Sequence, residues 1–218
     1  MAVGPFLRQG LEELIGSGKC LGLHASINSE WDRIKWIPCS PREEIRTLLD
    51  EEGEFPEETA WFTLHPPDLE QVMKELNAQL DYLTSLGVPV SYVDMHMMPY
   101  EEIPGFAEEM SGWIRRKGLI DHLPYYRTPA QFEPSPSLTP EEGERHWEAW
   151  FRMLEDGTYF TVTHPFRLGE DSFLMGNKDV PAETCARRRD TEYRLLSGGT
   201  LEKLAERYGV TPVRYDQL

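Results

Sequence analysis

The chain has few cysteines, and the three present, Cys20, Cys39 and Cys185, share no CxxC spacing. An odd, scattered set argues against a disulfide framework or a structural zinc knuckle and for a reducing compartment such as the cytoplasm. Long apolar runs are missing too. None approaches the roughly 20 residues that a membrane-spanning helix needs. The start, Met1-Ala2-Val3-Gly4-Pro5-Phe6, lacks the basic n-region and apolar core of a signal peptide. Basic residues are outnumbered, and the formal net charge is −16. Such a surface repels phosphate backbones, which argues against a nucleic-acid partner and otherwise serves solubility. No internal repeat or low-complexity block occurs.

What is present fits a globular chain. The 218 residues are 39% hydrophobic and 28% charged, enough for a sizeable core and one domain spanning 1–218. Strand-like and helix-like runs alternate. The segment 21–27, "LGLHASI", is a short apolar run. In 67–87, Leu69, Val72, Met73, Leu76, Leu80 and Leu83 recur at helical spacing, and Gly87 supplies a stop. The segment 88–96, "VPVSYVDMH", reads as a strand and 104–118 as a helix. A short strand is expected at 123–128, "LPYYRT". A helix over 139–157 opens on Thr139 as cap with Pro140 in its first turn. The β-branched and aromatic stretch 158–166, "TYFTVTHPF", reads as a strand, helical text follows from about 181, and "VTPVRYDQL" closes as a last short strand. Stretches 37–60 and 129–139 read as long loops over one face. This alternation predicts an α/β fold with a parallel sheet and helical crossovers, whose sites lie at the carboxyl ends of the strands.

That location rule selects among the six histidines. His65, His122 and His146 fall in loops or on a charged helix face and read as solvated or capping residues. His24 lies inside an apolar run, where a satisfied core histidine is as natural as a ligand. Asp94 and His96 are two apart on a strand, so their side chains share a face. His164 sits before Pro165, where a strand must stop. Neutral imidazoles with a carboxylate suit zinc or a similar divalent metal. Trp31 and Trp36 flank the charged turn "EWDRIKW"; their aromatic faces are placed either to contact a substrate or to anchor the loop. Arg127 ends "LPYYRT" and is suited to hold a carbonyl or carboxylate, or to pair with a surface acid.

Together these segments resemble the YdjC-like carbohydrate deacetylase family. "LGLHASINSEWD" (21–32) is similar to its Gly-x-His-Leu-Thr-Leu-Thr-Ser-Glu-Trp segment, "VSYVDMHM" (90–97) to its Thr-His-x-Asp-Ser-His strand, and "VTHPF" (162–166) to its His-Pro segment. The resemblance implies a deformed (β/α) barrel that removes acetyl groups from amino sugars with a bound divalent metal, magnesium or zinc. It places metal ligands at His24 and His96, and catalytic roles at His164, as acid to the leaving amine, and at Asp94, as support to the ligands. Arg127, Trp31 and Trp36 are the candidate substrate contacts. The family's opening Asn-Ala-Asp-Asp-Phe-Gly strand, whose aspartate completes the metal site, has no counterpart here. The residues from Met1 to Leu14 align instead with the second strand and its helix. A missing first strand leaves a sheet edge to be covered, which predicts a homodimer. It also supports a different reading, a catalytically inactive relative that binds a ligand without turnover. A sugar isomerase on a related barrel would need more carboxylates at strand ends.

Overall fold

The computed structural model describes residues 1–9, 11–125 and 137–218. Among the described residues, three strands form one parallel sheet in the order β1 (Leu21–Ala25), β2 (Val90–Met95), β3 (Ile120–Asp121). Seven α-helices accompany them among the described residues: α1 (Leu11–Ile15), α2 (Trp61–Leu64), α3 (Leu69–Ser85), α4 (Phe106–Arg116), α5 (Pro140–Met153), α6 (Ala182–Ser197) and α7 (Thr200–Arg207). The mixed α/β class with a parallel sheet follows the sequence expectation. No helix among the described residues is long and apolar enough to cross a membrane.

The chain divides into two compact units. One comprises 1–30, 34–123 and 214–218, the other 31–33 and 124–213. The first unit holds the sheet. Helix α3 forms because its apolar residues repeat at helical spacing and both ends are capped. Asp68 accepts from Glu70 N at 2.8 Å, and Gly87, at φ 83°, lets Val88 N reach back to Leu83 O. Its inner face, Val72, Leu76, Leu80 and Leu83, packs in one core with Leu23, Ala25, Val93 and Met95 of the sheet and Phe106, Met110, Trp113 and Ile114 of α4. Alternation along β1 and β2 then turns Gly22, His24, Tyr92 and Asp94 to the other, partly open face. A Cβ on Gly22 would stand 2.4 Å from the Tyr92 ring, so the close approach of these strands requires glycine there.

Two buried polar side chains of α3 fix the loops at the strand ends. Gln79 accepts from Ser26 N and donates to Ser26 O just after β1. Glu75 accepts from the backbone N–H groups of Cys39 and Ser40 and from Gln79 Nε2. Burial, with the Glu75 charge adding to it, pushes the Cys39 thiol up to about 12, so it stays a neutral thiol.

In the second unit, α5, α6 and α7 carry a core of Trp147, Trp150, Phe151, Leu195, Leu204 and Ala205. The strand expected at 158–166 is absent. Instead the backbone N–H groups of His164 and Leu168 donate to the carboxylates of Glu192 and Asp190, and Phe166 N donates to Arg189 O. Helix α6 thus takes the donors that a neighbouring strand would have used. Leu123–Tyr125 is a turn of 3₁₀ helix rather than a strand, with the rest of 123–128 outside the described residues. The C-terminal strand is also replaced by a 3₁₀ turn, Tyr215–Gln217, whose Tyr215 ring lies 4.5 Å from that of Tyr92.

Replacing Glu75 by Ala takes the acceptor from three donors, Cys39 N, Ser40 N and Gln79 Nε2, the last two of them buried. The variant is expected to lose about 2–4 kcal/mol of stability in urea unfolding; an unchanged midpoint would show that these loops do not depend on α3.

Candidate metal centre

The register of the sheet pairs His24 with Asp94 directly across β1 and β2. Parallel neighbours in register point to the same face, so the two side chains meet: His24 Nδ1 lies 2.9 Å from Asp94 Oδ1. One step beyond β2, His96 is tied to the end of β1 by its backbone N–H, which donates to Ala25 O at 2.8 Å. Its ring Nδ1 lies 3.2 Å from His24 Nε2, with the two rings close to perpendicular at 76°. On its far side, His96 Nε2 is 2.8 Å from Glu30 Oε2. The same Glu30 oxygen accepts from Trp36 Nε1 at 3.2 Å. The result is a continuous line: Asp94, His24, His96, Glu30, Trp36.

Carboxylates only accept hydrogen bonds when ionised. Burial pushes the Glu30 carboxyl upward, but donation from His96 and Trp36 outweighs it and holds the pKa below the usual carboxylate range. An ionised Glu30 needs a hydrogen on His96 Nε2, and an ionised Asp94 needs one on His24 Nδ1. Both inner nitrogens of neutral rings then hold lone pairs aimed across the 3.2 Å gap. That arrangement is repulsive until a proton or a metal cation enters. Two nitrogens bound to one tetrahedral zinc at about 2.0–2.1 Å stand about 3.3–3.4 Å apart, close to the observed separation. Metal-binding histidines also commonly give their outer N–H to a carboxylate. Donor type, spacing and support therefore fit a divalent metal at His24 and His96. Among the described residues, no group of three or more His, Cys, Asp or Glu is arranged to hold one ion, so the fit extends to two protein ligands.

The other expected residues are placed as follows. Trp36 is half-buried and packs against the core of the first unit with its indole N–H on Glu30. Trp31 belongs to the second unit, is 7% exposed, and has the Arg189 guanidinium 5.4 Å from its ring centre. His164 also belongs to the second unit, its backbone held by Glu192. Arg127 lies outside the described residues.

Two residues escaped the sequence reading. Glu30 was not singled out, although it matches the Glu of the family's Ser-Glu-Trp in "LGLHASINSEWD" and sits in the loop just past β1, where sites of parallel sheets form. His122, read as solvated, is 1% exposed, follows β3, and places Nδ1 3.2 Å from Val93 O. Burial lowers its pKa, against the charges of Asp94 and Asp121. Immediately after His96, Met97 and Met98 adopt left-handed φ values of 50° and 44°. Two successive non-glycine residues in this region are strained, and such strain concentrates at functional sites.

The sequence matches the YdjC-like protein family over residues 1–207, and the chain belongs to that family. No curated protein matches it. A solved structure from Enterococcus faecalis V583, named for a proposed role in cellobiose-phosphate cleavage, superposes with a TM-score of 0.72 at 19% identity, covering 100% of this chain and 85% of that one. At that identity the likeness establishes a shared fold.

His122 gives a pH signature. Its folded pKa lies below its unfolded value of about 6.5, so the unfolded chain binds the proton more readily. The stability of the neutral, buried ring is complete well above pH 6.5 and is lost as pH falls toward the folded pKa, with a slope of at most about 1.4 kcal/mol per pH unit. Urea unfolding at pH 8 and pH 5 should show a smaller loss for His122→Gln than for the unaltered chain; equal losses would contradict this assignment.

Proposed function

We propose that this YdjC-like protein is a divalent-metal-dependent hydrolase that removes acetyl groups from an N-acetylated carbohydrate, on a fold that its resemblance reads as a deformed (β/α) barrel and whose described residues carry a three-stranded parallel sheet. The observation that carries the reading is the pair of imidazole nitrogens 3.2 Å apart, each ring backed by a carboxylate. His24 and His96 would hold the ion. A bound zinc or magnesium supplies Lewis acidity, which polarises an amide carbonyl and acidifies water. Asp94 keeps the hydrogen of His24 on Nδ1 and turns Nε2 to the gap; Glu30 does the corresponding work for His96. His164 is assigned the proton that the departing amine needs. The carbohydrate part is supported by the family and by the name of the Enterococcus protein, which concerns a sugar phosphate.

One observation favours a second reading, an inactive relative that binds a sugar without turnover: the described donor set stops at two protein ligands. Metal content and acetate release separate the two. The full chain, stripped with a chelator and reloaded with zinc or magnesium, is expected to bind about one ion and release acetate from N-acetylated chito-oligosaccharides. His24→Ala and His96→Ala should each lower the metal content. His164→Ala should retain the metal and lower kcat by about 10²–10⁴-fold. Full metal content in the double variant His24→Ala/His96→Ala would overturn the metal site. One bound ion without acetate release would favour the inactive reading.

A further inference from the structure

We infer that Glu30, held in place by Trp36, is a positioning residue that fixes the tautomer of His96 so that Nδ1 faces His24. The geometry leaves little freedom at each step. An indole N–H can only donate, so the Glu30 oxygen 3.2 Å from Trp36 Nε1 is committed as an acceptor. The same oxygen is 2.8 Å from His96 Nε2. A His96 ring with its hydrogen on Nδ1 would set a lone pair against that oxygen. The side chains of His96 and Glu30 are only 11% and 13% exposed, so water is poorly placed to relieve the mismatch.

The frame around Glu30 is equally constrained. Trp36 N donates to Ser29 Oγ at 2.9 Å, and Ser29 N donates to Pro56 O at 2.8 Å. The loop from Ser29 to Trp36 is thus closed on both sides of Glu30. His96 is fixed by its backbone bond to Ala25 O and by the left-handed turn at Met97 and Met98. The two carboxylates select opposite nitrogens: Asp94 takes Nδ1 of His24, and Glu30 takes Nε2 of His96. The inner pair is therefore Nε2 with Nδ1. Trp36 acts on the site through Glu30. The consequence for metal affinity rests on the metal reading above; the tautomer does not.

The test uses the full chain, ¹⁵N-labelled and free of metal, with long-range ¹H–¹⁵N correlation spectra recorded while the rings are neutral. The expected spectrum shows His96 protonated on Nε2 and His24 on Nδ1. Glu30→Ala should convert His96 to a tautomer mixture. Glu30→Gln, which keeps an acceptor oxygen, should restore the Nε2–H form. In a chelator-competition titration, zinc affinity should fall about 10–100-fold in Glu30→Ala and recover in Glu30→Gln. An unaltered chain with His96 protonated on Nδ1, or a folded Glu30→Ala variant with an unchanged tautomer, would overturn the inference. If Glu30→Ala does not fold, the spectrum of the unaltered chain decides. If that chain shows the stated tautomers but binds no zinc, the metal reading fails and the role of Glu30 stands.

Discussion

Two imidazole nitrogens face each other across 3.2 Å, and each ring is fixed from behind by a carboxylate. With the ring hydrogens on the outer nitrogens, lone pair meets lone pair across the gap unless a cation enters it. With a cation there, the same geometry is favourable, because two carboxylates balance a divalent charge in a partly buried setting. The rest of the first unit can be understood as what keeps those four side chains in line. Parallel pairing puts His24 beside Asp94. The bond from His96 N to Ala25 O carries the register one residue past the strand. Gly22 lets the strands and the Tyr92 ring come together.

The core serves the same arrangement from below. Leu23, Ala25, Val93 and Met95 are buried against α3 and α4, which forces the alternate residues onto the open face. A slip of one residue would bury His24 and Asp94 and expose four apolar side chains. Gln79 and Glu75 then anchor the loops that follow β1. Both are charged or amide groups inside a helix face that is otherwise apolar, and both are fully used by hydrogen bonds.

Much of this was legible in the sequence where the signal is local. Helical spacing marked α3, helices were also read at 104–118 and 139–157, where α4 and α5 lie, and the caps Thr139 and Gly87 sit where the chain turns. The apolar runs at 21–27 and 88–96 became β1 and β2, and the approach of His24, Asp94 and His96 follows from placing both at one sheet end. The failures share a cause, in that the deciding partner lies far along the chain. The 158–166 stretch has strand composition, but Glu192 and Asp190 claim its backbone, a tertiary effect that propensity does not contain. Strand β3 has two residues, too few for any periodicity, so His122 gave no sign of its burial. Glu30 lies in the segment that carries the family resemblance, but its contact with His96, 66 positions away, cannot be read from that segment.

The central claim is that the gap between His24 and His96 is a cation site. Crystals of the full chain soaked in zinc and measured on both sides of the zinc absorption edge test it most directly. The account predicts an anomalous peak within about 2.0–2.1 Å of both His24 Nε2 and His96 Nδ1, with Asp94 and Glu30 still on the outer nitrogens. Zinc bound elsewhere, with the two rings still in contact and no peak between them, would contradict it.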